Sequence, residues 1–386
     1  MRILFTTTPG WGHVHPIVPL ARAFRARGDE VLWATGVETC GRLRSEGFEA
    51  SAAGLDVRAS LERVAHRFPE LASLPPLERS GPMFTRIFAD VRAPAMLADL
   101  LPLVRDWRPS VVIHDAAEFA APVAAAVAGV PSVSHSFGRL MPAQITAEAG
   151  EALASLWARQ GLAAPPHAGL YQYLYVDIYP PSLQTTKIAH VPTVQSLRPV
   201  TFALGRAGAL PEWVTLEASQ PLVYVTFGTV LATDVSLLSI VVEALSELPV
   251  RVLVSVGPDR DPALLGDQPP NVHVTSYIAQ TQLLPYCAAV VSHAGSGVFL
   301  AALAHGRPQL CLPQFADQFL NAAVCVRCGA GLALPPETVT APAVRAAAEQ
   351  LLSNAQLRAA ATTVAQEISQ MPEPLEVAQH IGDRFG

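Results

Sequence analysis

Short apolar runs that alternate with helical patterns constrain the fold of this chain more than any other feature. In the first half, β-rich runs at 2–8, 31–35 and 111–114 are predicted strands, and another begins at Val130. Between the first two runs, 16–27 carries apolar residues at helical spacing. Apolar strands separated by helices are typical of a parallel sheet that helices cover on both faces. The pattern therefore predicts an α/β protein.

The second half repeats this plan without a clear sequence repeat. Strands are predicted at 222–227, 250–256, 272–274, 289–292 and 309–312, with helices near 236–248 and up to His305. A length of 386 residues suits two domains. We predict an N-terminal domain at 1–205, a linker at 206–220, a C-terminal domain at 221–370, and a helix at 371–386 that returns to the N-terminal domain.

Composition excludes several classes of partner. The net charge is −6 and no dense block of Lys or Arg occurs, so a nucleic-acid surface is not expected. The mean hydropathy is +0.31, yet the longest uncharged stretch, 119–138, contains Pro122, Gly129 and Pro131 and indicates a helix, a turn and a buried strand. The apolar run at 3–5 is too short for a signal peptide. These features predict a cytoplasmic protein without a membrane span.

Neither the cysteines nor the carboxylates indicate a disulfide framework or a metal site. The five cysteines, at 40, 287, 311, 325 and 328, are odd in number and widely spaced. A C-x-x-C pair at 325–328 stands without a second pair. One D-x-D motif, at 259–261, lies between prolines and is interpreted as an exposed turn.

The segment Gly-Trp-Gly-His-Val-His-Pro at 10–16 follows the first predicted strand and opens a helix. Ligands of doubly wound sheets bind at such turns. A dinucleotide fingerprint would need a third glycine where His15 stands. The other interpretation makes His13 a general base, because an unperturbed imidazole with a pKa of about 6.5 can accept a proton from a hydroxyl. A carboxylate would orient that imidazole, and Asp115 is the predicted partner, with Glu118 as the rival.

The segment Ser-His-Ala-Gly-Ser-Gly-Val at 292–298 also follows a strand and precedes a helix. Its glycines and Ser296 leave backbone N–H groups at a helix N-terminus, where phosphate binds readily, and His293 adds a donor. No P-loop motif occurs, so P-loop ATP or GTP chemistry is not expected. A diphosphate held by dipoles and hydroxyls suits this segment, with Gly228 and Thr229 as a second contact.

Further contacts are predicted around these two segments. Asp317 and Gln318, an acid beside an amide, suit the vicinal hydroxyls of a sugar. Apolar side chains lie near the first segment and in the weakly patterned stretches 56–100 and 139–170. They predict a pocket for a hydrophobic substrate, the acceptor of a transferred group. The candidate acceptor-binding residues are Trp11, Met83, Phe84, Phe88, Phe137 and Met141.

Five segments, in this order, resemble the nucleotide-sugar-dependent glycosyltransferases of actinobacterial natural-product pathways. They are Thr-Pro-Gly-Trp-Gly-His-Val-His-Pro at 8–16, Tyr-Val-Thr-Phe-Gly-Thr-Val at 224–230, Ser-Tyr-Ile-Ala-Gln at 276–280, His-Ala-Gly-Ser-Gly at 293–297 and Pro-Gln-Phe-Ala-Asp-Gln at 313–318. The order and spacing match over nearly the whole chain.

The resemblance implies the GT-B fold, in which two Rossmann-like domains with parallel sheets face each other across a cleft. It implies an N-terminal domain for the acceptor, a C-terminal domain for a TDP-linked sugar, and inversion at the anomeric carbon without a metal or other cofactor. On the family pattern, His13 is the base and Asp115 its partner. The donor-binding positions are Gly12, Thr229, Tyr277, Ile278, Gln280, His293, Gly295, Ser296, Gly297, Val298, Asp317 and Gln318.

Three positions depart from the family pattern. Ala279 stands where proline is usual, and Val298 where threonine is common. Tyr277 replaces the tryptophan that stacks on uracil in plant relatives. A backbone N–H contact at Val298 needs no side chain, so phosphate binding can survive this change.

These observations predict transfer of a sugar or deoxysugar to a hydrophobic natural-product aglycone such as a polyketide. A sugar-nucleotide epimerase of the same architecture and a non-catalytic GT-B auxiliary protein are the alternatives. An NAD-linked oxidoreductase would need the dinucleotide fingerprint that 10–16 lacks. A homodimer is compatible with the sequence.

Overall fold

Two compact units make up the chain. The computed structural model describes residues 1–74, 76–201, 209–215, 220–228, 235–258 and 260–386, with the backbone alone at 76–80. The first unit contains Met1–Arg198 together with Met371–Gly386, and the second contains Pro199–Gln370. Each unit is built on one parallel sheet, which confirms the α/β class.

Seven strands form the sheet of the first unit. They are β1 (Arg2–Thr6), β2 (Glu30–Thr35), β3 (Glu49–Ala52), β4 (Val111–Asp115), β5 (Ser132–His135), β6 (Leu174–Asp177) and β7 (Val194–Ser196). Their order is β3-β2-β1-β4-β5-β6-β7. The order therefore reverses between β1 and β4, where Thr6 lies beside His114. A ligand crevice is expected beyond the carboxyl ends of two such strands.

Helices cover this sheet. They are α1 (Trp11–Val14), α2 (Val18–Ala26), α3 (Val37–Ser45), α4 (Val57–Arg67), α5 (Pro76–Thr85), α6 (Ala93–Trp107), α7 (Ala120–Ala128) and α8 (Ala143–Ala158). A π-helical segment, Arg86–Arg92, joins α5 to α6. The weakly patterned stretch 56–100 is thus largely helical. Its apolar residues are divided between the main core and a separate small cluster, so no single helical face dominates the sequence.

Six strands form the sheet of the second unit. They are β8 (Leu222–Thr226), β9 (Arg251–Ser255), β10 (Val272–Thr275), β11 (Cys287–Ser292), β12 (Gln309–Cys311) and β13 (Gly331–Ala333). Their order is β10-β9-β8-β11-β12-β13, which reverses between β8 and β11. All five residues of β8 are buried, as expected of a parallel strand packed on both faces.

One of the helices of the second unit begins within the predicted phosphate-binding segment 292–298. They are α9 (Glu212–Thr215), α10 (Val235–Ser246), α11 (Gln280–Leu283), α12 (Ser296–Ala304), α13 (Gln318–Arg327), α14 (Ala341–Ser353) and α15 (Ala355–Gln370). Of the predicted linker 206–220, the structure describes 209–215 and 220. Val214 on α9 is buried in one cluster with residues of β8. No helix in the described ranges is long and apolar enough to cross a bilayer.

The last helix, α16 (Pro374–Phe385), belongs to the first unit and packs against α2. Arg27, the C-cap residue of α2, donates a hydrogen bond to the backbone carbonyl of Ala378. A Cβ at Gly382 would meet the Arg27 guanidinium, so a larger residue there would require this side chain to shift. A capping box between Glu373 and Glu376 begins the helix.

Candidate active site

The first predicted site lies where β1 and β4 end side by side. Gly10 has φ 115, which favours glycine, and the chain turns there into α1. On α1, Nδ1 of His13 lies 3.2 Å from Oδ1 of Asp115, the last residue of β4. The His13 side chain is 18% exposed and that of Asp115 is fully buried. The two side chains that the sequence paired are therefore in contact.

Asp115 is held by four hydrogen bonds. Its Oδ2 accepts from the backbone N–H of Thr8 at 2.9 Å and from the Thr8 hydroxyl at 3.1 Å. Its Oδ1 accepts from the N–H of Ala117 at 2.7 Å, besides facing His13. Burial favours a higher pKa for Asp115, but His13 and these hydrogen bonds outweigh it, so the pKa lies below its ordinary value. An ionised Asp115 accepts the Nδ1–H of His13 and leaves Nε2 as the basic nitrogen.

Glu118, the rival partner, is engaged elsewhere. Its carboxyl oxygens accept from the Thr6 hydroxyl at 2.7 Å and from the N–H groups of Ala120 and Ala121 at 2.7 and 3.1 Å. These contacts place it at the N-terminus of α7. Burial raises the pKa of Glu118 to about 7. Glu118 therefore serves as a buried helix cap and does not orient His13.

Two further histidines near this edge are buried and neutral. Nδ1 of His114 donates to the carbonyl of Asp115 at 3.0 Å, and Nδ1 of His135 donates to the carbonyl of Ser136 at 2.7 Å. Burial lowers the pKa of each to about 4. Both side chains pack at the end of the sheet without carrying charge near neutral pH.

Aromatic rings surround the imidazole of His13. The ring centroid of Phe137 lies 4.6 Å from that of His13, and the centroid of Phe88 lies 5.4 Å away. Phe84 packs on Phe88 at 4.7 Å. Three of the six candidate acceptor residues are thus gathered beside the predicted base. The three rings form an apolar surface beside the imidazole, which suits a hydrophobic acceptor that carries a hydroxyl group.

The other three candidates lie in different surroundings. Trp11 packs against His15 and beneath the guanidinium of Arg42. Met83 belongs to the small cluster of apolar residues beside α4. Met141 is half-buried just before α8. These contacts do not bring the three residues against His13.

The second predicted site is the loop between β11 and α12. Ala294 has φ 61, a left-handed conformation that is strained for alanine. Gly295 then caps α12, whose first residue, Ser296, donates to Oδ2 of Asp317 at 2.6 Å. The amide of Asn321 donates to the carbonyl of Ala294 at 2.9 Å and to the same Asp317 oxygen at 3.1 Å. The start of α12 is thereby fixed, and its first N–H groups lack intrahelical acceptors, as an anion site requires.

Two glycines make room for the His293 ring. A Cβ at Gly295 would lie 2.5 Å from Nε2 of His293, and one at Gly228 would lie 2.9 Å from Cε1. Nδ1 of His293 is buried without a hydrogen-bond partner in the described part of the chain. Burial lowers the pKa of His293, against the opposing influence of Asp317. The ring is thus neutral and confined beside the start of α12.

Asp317 and Gln318 lie at the start of α13, and their side chains form hydrogen bonds with different partners. Asp317 is half-buried and binds Ser296. Gln318 is buried, and its Oε1 accepts from the N–H groups of Gln314 and Phe315 at 2.8 and 3.1 Å. That amide oxygen therefore holds the loop after β12.

The remaining donor candidates differ in exposure. Tyr277 is 37% exposed, whereas Val298 is buried and Ile278 is half-buried in one apolar cluster. Nε2 of Gln280 donates to the Tyr224 hydroxyl at 3.4 Å. Gly297 has open space where a Cβ would stand, and so does Gly12, which is exposed on α1. Thr229 lies outside the described residues.

The D-x-D motif is only half described. Asp261 caps a short 3-10 turn by accepting from the N–H of Ala263 at 2.9 Å, and Asp259 lies outside the described residues. Within the described ranges, no group of three His, Cys, Asp or Glu side chains could hold a metal ion. All five cysteines are free thiols.

Three residues of these sites escaped the sequence reasoning. Thr8 lies inside the first motif, two residues beyond the end of β1, and this position near the carboxyl edge of the sheet was an available signal. Asn321 follows Asp317 by four residues, so the two share one helix face. Arg92, which is buried beside Phe88, lies in a π-helical segment that gives no recognisable sequence period.

Both halves of the chain match one protein family. The N-terminal domain of the erythromycin biosynthesis protein CIII-like family matches residues 22–228, and its C-terminal domain matches 239–383. The chain belongs to this CIII-like family. It is 36% identical to L-demethylnoviosyl transferase of Streptomyces niveus, over 98% of the chain and 97% of that relative. It is 34% identical to elloramycin glycosyltransferase ElmGT of Streptomyces olivaceus, over 100% and 98%.

Solved structures give the same result for the CIII-like chain. It superposes on spinosyn rhamnosyltransferase SpnG with a TM-score of 0.83 and 27% identity, covering 99% of this chain and 100% of that one. The chain is therefore a glycosyltransferase of the antibiotic-biosynthesis type with the GT-B fold. This confirms the predicted class over an epimerase, an oxidoreductase and a non-catalytic protein.

Proposed function

We propose that this glycosyltransferase moves a sugar or deoxysugar from a TDP-sugar to a hydroxyl of a hydrophobic polyketide-like aglycone, with inversion at the anomeric carbon. The contact between His13 and Asp115, flanked by Phe88 and Phe137, carries the proposal. SpnG has been crystallised with thymidine diphosphate and with spinosyn aglycone. The proposal assigns the same two classes of ligand, a thymidine diphosphate group and a hydrophobic aglycone, to this chain.

His13 is the general base in this proposal. Its Nε2 takes the proton of the acceptor hydroxyl while the oxygen forms a bond to the anomeric carbon. The bond from that carbon to the diphosphate breaks, and TDP leaves with the electron pair. Asp115 stabilises the imidazolium, because its buried carboxylate accepts the Nδ1 proton.

The leaving diphosphate is stabilised by the start of α12. The N–H groups of its first turn and the helix dipole provide partial positive charge. His293 is a neutral donor beside it, and Asp317 is available for the sugar hydroxyls. No metal is required in this scheme.

Removal of the base tests the proposal. We expect His13→Ala to lower kcat by roughly 10²–10⁴-fold, the range for a lost general base. His66→Ala, at an exposed position on α4, is the control and should leave kcat unchanged. A His13→Ala variant with near wild-type turnover would rule out this mechanism.

Substrate class and stereochemistry are tested separately. Calorimetry should show tighter binding of TDP than of UDP or GDP. The anomeric proton coupling of the product should show inversion relative to the donor, and EDTA should not lower the rate. Retention of configuration, or loss of activity with EDTA, would contradict the scheme.

A further inference from the structure

Arg92 is a buried cation beside the predicted acceptor site. It ends the π-helical segment Arg86–Arg92 and is 8% exposed. Its Nε donates to the Ser60 hydroxyl at 3.0 Å, and its guanidinium carbon lies 5.0 Å from the Phe88 ring centroid. None of the ion pairs formed among the described residues includes Arg92.

A buried charge without an ion-pair partner is costly to maintain. Burial lowers the pKa of Arg92 to about 10, against the opposing influence of Asp115 and Asp56. The side chain is therefore still a cation near neutral pH. One hydrogen bond to Ser60 and one ring contact leave most of its five N–H donors for another partner.

A small cavity lies beside Arg92. Its lining includes Arg92, Thr8, Phe88, Glu118 and Phe119. The free volume is ≈ 10 Å³, room for about one water-sized group. Both oxygens of Glu118 already accept from Thr6 and the start of α7. Arg92 lines the same cavity and has N–H groups that can donate to an atom placed there.

One aromatic ring links the cavity to the predicted base. His13 contacts Phe88, and the Arg92 guanidinium also lies over Phe88. Thr8, a second lining residue, donates twice to Asp115. Phe88 is therefore a contact that the predicted base and Arg92 share, and Thr8 connects the cavity lining to Asp115.

We propose that Arg92 determines acceptor specificity by binding a carbonyl or enolate oxygen that the aglycone carries near the hydroxyl to be glycosylated. This inference rests on the proposed function, because it assumes that the acceptor packs beside His13. A planar guanidinium donates well to such an oxygen and tolerates either its neutral or its ionised form. The π-helical segment places Phe88 and Arg92 together, a local geometry that is frequent at functional sites.

Binding of two matched phenols tests the role of Arg92. One is a hydroxyanthraquinone with a carbonyl beside its hydroxyl, and the other is the hydroxyanthracene that lacks the carbonyl. Calorimetry should show that the wild-type protein binds the first roughly 10- to 100-fold more tightly, as expected for a hydrogen bond to a charged donor. Arg92→Met should abolish this preference, and Arg92→Lys should keep part of it.

Arg86→Met is the matched control, because Arg86 lies in the same segment but is 43% exposed and paired with Asp90. It should keep the full preference. Equal binding of the two phenols by the wild-type protein would overturn the proposal. So would an unchanged preference in folded Arg92→Met or Arg92→Lys protein. Turnover is measured in parallel. An Arg92 variant that loses the discrimination between the phenols but keeps His13-dependent transfer supports the role of Arg92. A wild-type protein that discriminates between the phenols but transfers no sugar rejects the proposed function and not the role of Arg92 in binding.

Discussion

Substitution of Asp115 by asparagine separates the charge of this residue from its shape. Each carboxyl oxygen accepts one backbone N–H, from Thr8 at 2.9 Å or from Ala117 at 2.7 Å. An asparagine must turn its NH₂ group toward one of these donors. The variant also removes the negative charge that faces Nδ1 of His13 at 3.2 Å. Both the proton transfer and the stability of the first unit should therefore suffer.

The expected magnitudes follow from these contacts. A hydrogen bond to a charged group contributes about 1.5–3 kcal/mol, so its loss from the imidazolium lowers kcat by roughly 10- to 100-fold. If the NH₂ group faces His13, the ring must accept at Nδ1 and carry its proton on Nε2, and the loss approaches roughly 10⁴-fold. The unpaired backbone N–H costs about 1–3 kcal/mol in unfolding free energy.

The assay is acceptor-dependent release of TDP at saturating substrates, together with thermal unfolding. Asp177→Asn is the matched control, since Asp177 ends β6, is 4% exposed, and accepts from the Tyr179 N–H at 3.0 Å and from Gln184 at 2.7 Å. The control should lose stability with little change in kcat. An Asp115→Asn variant that loses stability but keeps kcat within about threefold of wild type would refute the assigned role of Asp115.

Three further predictions concern the donor loop and the buried glutamate. Gly295→Ala places a Cβ 2.5 Å from Nε2 of His293, so initial rates should show a higher KM for the donor with the acceptor KM unchanged. Ala294→Gly relieves the strain of φ 61, and denaturant unfolding should show a gain of up to about 1 kcal/mol; a loss would contradict the strain. Burial raises the pKa of Glu118 from 4.5 to about 7, so folding favours its protonated form. Wild-type stability should therefore fall, relative to Glu118→Gln, by about 3 kcal/mol as pH rises from about 4.5 to about 7; parallel stability curves would disprove this.

The pairing of His13 with Asp115 was predictable because it depends mainly on strand order. Once β1 and β4 are neighbours, the residues that follow them share one edge of the sheet. Strand bounds were predictable for a related reason: β8 was expected at 222–227 and lies at Leu222–Thr226, because a strand buried on both faces is a continuous apolar run.

Other features depend on packing that the sequence pattern does not contain. Strand β7 has three residues, none of them buried, so it leaves no apolar run. The pattern identifies Met83 and Phe84 as apolar, but the tertiary fold sends Met83 to one cluster and Phe84 to another. Arg92 is a charged residue in a π-helical segment, and helical periodicity gives no reason to expect it inside the protein.

The return of α16 to the first unit has a consequence for folding during synthesis. Residues 371–386 complete the packing of α2, yet the ribosome makes them only after all of Pro199–Gln370. Domains generally fold as units while the chain emerges. The second unit can therefore finish folding first, whereas the unit that carries His13 must wait, with one side of α2 uncovered, until its last helix is released.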